Sequence, residues 1–429
     1  MAMKALLVTI GSLGDLHPFI AIGLALHTQG HDVLLAVPAD HADKVHGTGL
    51  AAAVILPSFA SICSRLEIDA AEAARRVLTQ RSFVMESVIL PSLANSVAAL
   101  DALAGDVDVI VGSTFALAAG IVAEKRGLPL VSLNLQPMAL LSACDPPVTP
   151  ELPIMVHAPT GPIGRRWNAG VLTMLRLAIR ARYGGAVTRV RAAHGLPPNR
   201  TTPLFDPVAA QVATLCCYSP VLAPIQPDAP PGTEAIGFPL FDREHGALAP
   251  LDPRLTAFLD RGPAPIVFTL GSFIVHAPGA FYSDAVAAAR TLGRRAVLLT
   301  GAQDVPDDAG DVMTIGYAPH SQVFGRAAAV VHHGGIGTTG QAMHAGVPQL
   351  IVPFFGDQFD NGARIARLGI GATIRPIAFR GEAALAAIRR VVEDTAIAAH
   401  AATVGAIVRR ESAAERAAER IAAVARGAI

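Results

Sequence analysis

Short runs of β-branched and aliphatic residues alternate along most of the chain with apolar positions at helical spacing, and glycine or polar turns separate the two patterns. Residues 4–10 read as a buried strand, 18–29 as a helix, 31–37 as a second strand and 39–46 as a second helix. Further on, 107–111 reads as a strand, 115–125 as a helix and 130–133 as a strand. Strands joined by helices predict a parallel sheet covered on both faces. Pro220, Pro224, Pro227, Pro230, Pro231 and Pro239 then interrupt the pattern, because proline continues neither a helix nor a central strand. The alternation restarts with strands at 266–270, 296–299, 312–315, 329–332 and 349–352, and helices at 280–291 and 338–344. Helical patterns at 382–393 and 397–426 close the chain. The expected layout is a first doubly wound α/β domain (1–218), a proline-rich linker (219–240), a second such domain (241–395) and a carboxy-terminal helix (396–429). Ligands of open α/β sheets sit beyond the carboxyl ends of the strands, so two such domains face to face place a site in the cleft between them.

Composition changes this picture only locally. A length of 429 residues suits two domains. Apolar residues make up 52% of the chain, yet no run reaches the roughly 18 residues of a membrane-spanning helix. The apolar start is short and runs into a glycine turn without a cleavage signal, which reads as a first strand in a cytoplasmic protein. Charge balances at 34 basic against 34 acidic residues, which excludes a general nucleic-acid binder. Cys63, Cys144, Cys216 and Cys217 have neither a disulfide framework nor zinc-ligand spacing and read as buried thiols. One asymmetry stands out. Between Glu151 and Asp206 there is no acidic residue, while Arg165, Arg166, Arg176, Arg180, Arg182, Arg189, Arg191 and Arg200 all fall inside. The segment 164–195 has helical spacing, with Trp167, Leu172, Leu175, Leu177 and Ile179 among the arginines. It fits peripheral contact of residues 165–191 with the inner face of a membrane, or an ordinary solvated helix face.

The candidate chemistry centres on His332-His333-Gly334-Gly335-Ile336-Gly337-Thr338-Thr339, where a strand enters a helix through glycines. Glycines let backbone amides approach an anion, and the positive end of the helix stabilises it. Downstream, Asp357 and Gln358 form an acid–amide pair suited to sugar hydroxyls. A glycine pattern alone is equally a structural turn over buried histidines.

The surroundings of this loop make a resemblance specific. From Tyr317-Ala318-Pro319-His320 to Asp357-Gln358 the chain resembles the donor-binding signature of family-1 glycosyltransferases of the GT-B fold. Gly11-Ser12-Leu13-Gly14-Asp15-Leu16-His17-Pro18 resembles that family's opening loop, and Phe268-Thr269-Leu270-Gly271-Ser272 its first donor-domain strand. Around Asp357-Gln358-Phe359-Asp360-Asn361 the chain is similar to a bacterial branch with rhamnolipid rhamnosyltransferases, near sterol and carotenoid glycosyltransferases. The resemblance implies two Rossmann-like domains facing a cleft, with the carboxy-terminal helix crossing back to the first. It implies a nucleotide-sugar cosubstrate and no other cofactor. Tyr317 would stack on the base and the backbone at His320 would bond it. Ser272, His333, Gly335, Gly337 and Thr338 would hold the diphosphate, Gln341 would meet the ribose, and Asp357 and Gln358 the sugar. Gln341 replaces a glutamate of plant-type members, so uridine and thymidine diphosphate donors both remain open.

The resemblance also implies a base at Asp15, which by its sequence is equally a helix cap, with His17 a rival base in the same turn. Ser113 occupies the place of the aspartate that elsewhere supports a histidine base. The pair Asp106 and Asp108 precedes a strand instead of ending one, and no metal site is expected there. The expected activity is an inverting, metal-independent transfer of a hexose to a hydroxyl of a hydrophobic, lipid-like or natural-product acceptor. The alternatives are a nucleotide-sugar epimerase on the same fold, or a catalytically silent nucleotide-sugar- or lipid-binding subunit.

Overall fold

The computed structural model describes residues 2–243, 250–301 and 310–427, with the side chains of Ser272 and Phe273 outside the described residues. Its strands in chain order are β1 (Lys4–Val8), β2 (Asp32–Pro38), β3 (Ala51–Leu56), β4 (Val109–Ser113), β5 (Leu130–Asn134), β6 (Gln211–Cys216) and β7 (Thr233–Ala235). The second set is β8 (Ile266–Thr269), β9 (Ala296–Leu299), β10 (Val312–Ile315), β11 (Ala329–His332), β12 (Gln349–Ile351) and β13 (Gly371–Thr373). The first set forms a sheet in the order β3-β2-β1-β4-β5-β6-β7, the second a sheet in the order β10-β9-β8-β11-β12-β13. Every pairing in both is parallel. The order reverses beside β1 in one sheet and beside β8 in the other, and these switch points carry the glycine loops at 11–14 and 271.

Strands buried on both faces read as continuous apolar runs, and β1, β4, β8, β9 and β11 are buried almost throughout. These runs were legible in the sequence. Two differences from the expected layout follow from local chemistry. The first helix spans Leu13–Thr28 and takes in Pro18, because Ser12 caps it: the Ser12 hydroxyl accepts from the Gly14 amide and the Asp15 carboxylate accepts from the Ser12 amide. The linker is not structureless, since Thr233–Ala235 pairs with β6 as the edge strand of the first sheet.

The carboxy-terminal segment is two helices instead of one. Thr395–Val408 stays on the second domain, where Ala401, Val404 and Val408 pack with Ile336, Met343 and Ile365. The chain breaks at residues 409–412, and Ala413–Ala425 crosses to the first domain. There Ala417, Ala418 and Ile421 pack in one core with Leu16, Phe19 and Ile20 of the first helix. The break is pinned by Glu411, whose carboxylate accepts the Ser219 hydroxyl at 2.6 Å. Gly237 lies so close that a Cβ there would meet Glu411 Oε2 at 2.7 Å.

The arginine-rich segment is a single helix, Pro162–Ala193. No single helix among the described residues is long and apolar enough to cross a membrane.

Candidate active site

Two helix starts meet at the cleft, and they differ in one respect. The first four amides of any helix lack intrahelical acceptors. In the amino-terminal loop the Ser12 hydroxyl takes the Gly14 amide and the Asp15 carboxylate takes the Ser12 amide, a reciprocal capping box that places a carboxylate on the helix start. The second-domain helix Ile336–Ala345 has Gly335 as its cap and no side-chain cap hydrogen bond. Its open amides and positive end therefore remain for an external anion.

Glycines shape this second loop by close approach. Gly334 has φ +89°, and a Cβ there would lie 2.6 Å from Ile351 Cγ2. The ring of His333 fills the space beside Gly271 and Gly335, with a Cβ on Gly271 reaching its Cε1 at 2.6 Å. His333 Nδ1 is buried without a hydrogen-bond partner among the described residues, and burial lowers the ring pKa to about 3. The ring is neutral, so it can offer one N–H without bringing a charge. Thr338 is buried, and the buried hydroxyl of Thr339 has no partner among the described residues.

His332 turns away from this surface. Its Nδ1 accepts the Gly334 amide at 3.1 Å and its Nε2 faces Gln349 Oε1 at 3.0 Å. The paired histidines are thus split, one into the core and one toward the loop, as alternation along a strand requires.

Asn361 joins the loop to the acid–amide pair. Its amide donates to the Gly334 carbonyl at 2.9 Å and to Asp357 Oδ2 at 2.8 Å. Gln358 is held from the other side, its Oε1 accepting the amides of Phe354 and Phe355 at 2.8 and 3.2 Å. Burial raises the Asp357 carboxyl to about 7; the Asn361 bond opposes the rise and the charge of Asp15 adds to it. Asp15 and Asp357, from different domains, therefore lie within electrostatic reach of each other.

Asp15 itself is half-buried. Its Oδ2 accepts the Ser12 amide at 2.9 Å and the Ser12 hydroxyl at 3.1 Å, while Oδ1 has no hydrogen bond among the described residues. Burial raises its pKa, against those two bonds and the nearby His41. His41 is tied to the same loop through Gly11 O at 2.9 Å. His17 does not bond Asp15. Its ring stands edge-on to Phe241, its buried Nε2 has no partner among the described residues, and burial lowers its pKa to about 3. Such a ring is a weak proton acceptor at neutral pH. Ser113 closes β4 with a buried hydroxyl that has no partner among the described residues.

On the base side, Tyr317 is 47% exposed in the loop after β10. His320 opens the next helical turn, stacks on Phe324 at 4.4 Å, and is held neutral by burial with a pKa of about 4. Asp242, just past the linker, caps that turn at the Ser321 amide, 2.7 Å away. Gln341 is buried one turn into the helix that follows the glycine loop. Ser272 lies in the short helix Gly271–Ile274, but its side chain falls outside the described residues.

The remaining candidates lie elsewhere. Asp106 pairs with the Lys4 ammonium, and Asp108 accepts the Lys4 amide at 2.7 Å, both at the amino ends of β1 and β4. No group of three or more His, Cys, Asp or Glu placed to hold a metal occurs among the described residues. A water-sized apolar hollow lined by Ile10, Ile55, Ile89, Leu93 and Phe115 lies at the carboxyl ends of the first sheet.

Sequence reasoning missed three contributors. Ser12 was legible as a capping box, serine with an acid three positions on. Asn361 carried a weaker signal, its helical spacing from Asp357. His41 had none, because only the sheet brings it to Gly11.

Comparison with known proteins agrees with this geometry. Residues 295–424 match the family described as erythromycin biosynthesis protein CIII-like, C-terminal domain. The chain is 34% identical over 378 residues to a vancomycin aglycone glucosyltransferase of Amycolatopsis orientalis, covering 86% of this chain and 85% of the relative. It is 32% identical over 428 residues to an O-mycaminosyltylonolide 6-deoxyallosyltransferase of Streptomyces fradiae, covering 97% and 96%. The crystal structure of the glycosyltransferase VinC in complex with dTDP superposes with a TM-score of 0.67 at 19% identity, covering 99% of this chain and 100% of that one. With two parallel-sheet domains, a glycine loop at each switch point and relatives spanning nearly its whole length, the chain belongs to the family-1 glycosyltransferases of the GT-B fold.

Proposed function

We propose that this glycosyltransferase moves a hexose from a uridine or thymidine diphosphate sugar to the hydroxyl of a hydrophobic natural-product or lipid-like acceptor, with inversion and without a metal, in the cytoplasm. The observation that carries the reading is the placing of Asp15, whose Oδ1 makes no hydrogen bond among the described residues, across the cleft from an uncapped helix start. A base on one side of the anomeric carbon and diphosphate stabilisation on the other suit a single displacement.

In this reading Asp15 Oδ1 takes the acceptor proton as the acceptor oxygen attacks. The bond to the diphosphate breaks on the opposite face. The amides of Ile336, Gly337 and Thr338, with His333 and Ser272, receive the developing charge, so the loop does the work a metal ion does elsewhere. Tyr317 and the backbone at His320 hold the base, Gln341 the ribose, and Asp357 and Gln358 the sugar hydroxyls. The bound dTDP of VinC supports a thymidine diphosphate donor. The vancomycin aglycone and O-mycaminosyltylonolide transferases among the relatives support a natural-product acceptor.

The test compares wild type with Asp15→Asn, which keeps an acceptor for the Ser12 amide and so preserves the helix cap. Expected are unchanged binding of dTDP or UDP by calorimetry and transfer slowed about 10²- to 10⁴-fold. Equal transfer rates would remove Asp15 from its role. Loss of the β-to-α or α-to-β change at the anomeric carbon, read by NMR of the product, would overturn inversion, and loss of transfer in EDTA would overturn metal independence.

A further inference from the structure

The helix Pro162–Ala193 has its faces in an unusual order. Asn168, Leu172, Gly184, Val187 and Arg191 are buried against the first domain. On the opposite side, Ile163, Trp167, Met174 and Leu177 follow one another at helical spacing and are 83%, 53%, 67% and 52% exposed. An apolar stripe facing solvent is costly unless something covers it.

The charges beside the stripe say what. Arg176, Arg182 and Arg191 are neutralised by Asp206, Glu86 and Glu124. Arg165, Arg166, Arg180 and Arg189 are exposed and make no ion pair among the described residues. No acidic residue lies between Glu151 and Asp206, so nothing on the helix offsets these four charges. An apolar stripe flanked by the unpaired Arg166 and Arg180 is complementary to an anionic bilayer, with the apolar side chains among the acyl chains and the guanidinium groups at the phosphates. Arginine suits the border because its stem can lie along apolar surface while its head stays in water. Trp167 sits in the stripe with its indole N–H already bonded to Ile154 O at 2.9 Å, so burying its ring leaves no polar group without a partner.

The stripe also has a fixed relation to the cleft. The loop that follows β5 packs on this helix through Leu141, Met155 and Leu172, and Asn168 donates to Ala143 O at 3.0 Å. From that loop Asp145 reaches Arg364 of the second domain. We infer that the exposed face of Pro162–Ala193 is a docking surface for anionic phospholipid bilayers, which holds the acceptor side of the cleft near the membrane. This inference stands apart from the transfer reaction, since its readout is lipid binding alone.

Trp167 is the chain's only tryptophan, so its fluorescence reports directly on the stripe. The experiment titrates the full chain with vesicles of equal phosphatidylglycerol and phosphatidylcholine, and with vesicles of phosphatidylcholine alone. Expected are a blue shift of emission and co-sedimentation with the anionic vesicles only, both lost in high salt. Arg166→Gln with Arg180→Gln should weaken partition about tenfold or more, and Met174→Ser with Leu177→Ser should abolish the blue shift. All four side chains are exposed, so the variants should match wild type in thermal unfolding. Unchanged emission with no co-sedimentation overturns the inference, as does equal binding to neutral vesicles. A blue shift that depends on protein concentration without lipid also overturns it, and makes the face a contact between copies of the chain.

Discussion

Gly14 and Gly337 face each other across the cleft, each in the first turn of its domain's glycine-loop helix, with a Cβ on Gly337 falling 4.0 Å from Gly14 Cα. That spacing is ordinary contact for a methyl group and leaves no room for more. The two helix starts are thus held apart by little more than backbone. Gly337→Ala should be nearly silent. Gly337→Leu should prop the domains apart and lower kcat/KM at least about tenfold while the melting temperature barely moves, because the added side chain meets the cleft and not the core.

The Asp357 carboxyl has a sign that pH can test. Its pKa rises from 3.8 in the unfolded chain to about 7 in the fold. The folded form then binds the extra proton between those values, so this group's contribution is fully present below pH 3.8 and is lost as pH rises toward 7. Asp357→Asn, which can still accept from Asn361, should flatten that fall in ligand-free protein. Thermal unfolding of the two proteins across this range should show the variant gaining on wild type as pH rises. Parallel curves would show that the Asp357 carboxyl is not raised.

Arg364 ties the two domains together. It is 2% exposed, bonds Asp360 at 2.8 Å within its own helix, and reaches Asp145 of the first domain. Asp360 in turn accepts the Val148 amide at 3.0 Å. Removing one member of a buried pair leaves an uncompensated charge, so Arg364→Ala should cost about 3–5 kcal/mol by denaturant unfolding. Asp145→Asn leaves no charge stranded on the buried Asp360 side. It should cost less in stability, and should raise KM for the acceptor by releasing the loop after β5.

Gly334 is the position where the diphosphate loop tolerates least. A Cβ there would strike Ile351 and would lie 3.1 Å from Gln358 O, at a φ that side chains avoid. Gly334→Ala should destabilise the chain by about 1–3 kcal/mol and weaken nucleotide diphosphate binding in calorimetry. Gly356→Ala, a control with φ +61° but nothing nearby, should show the backbone strain without the collision.

The amino-acid sequence by itself determined the two-domain α/β plan, because strands buried on both faces must be written as continuous apolar runs, as in Leu6, Leu7 and Val8 or Val330 and Val331. It also wrote the glycine loop, with glycines at 271 and 335 where the His333 ring occupies the space a side chain would need. What tertiary structure decided is everything that depends on distant segments meeting. The strand Thr233–Ala235 has no pattern that outweighs the prolines around it, and only the exposed edge of β6 makes it a strand. The carboxy-terminal helix pattern runs unbroken through Arg409 and Arg410, whereas the fold breaks the helix at 409–412, where Glu411 meets Ser219 from nearly two hundred residues earlier in the chain. Asp15 is the clearest case. Three residues of spacing mark it as part of a helix cap, and its basicity comes from burial at a cleft that the second domain completes, because desolvation is a property of the assembled surroundings and not of the local chain.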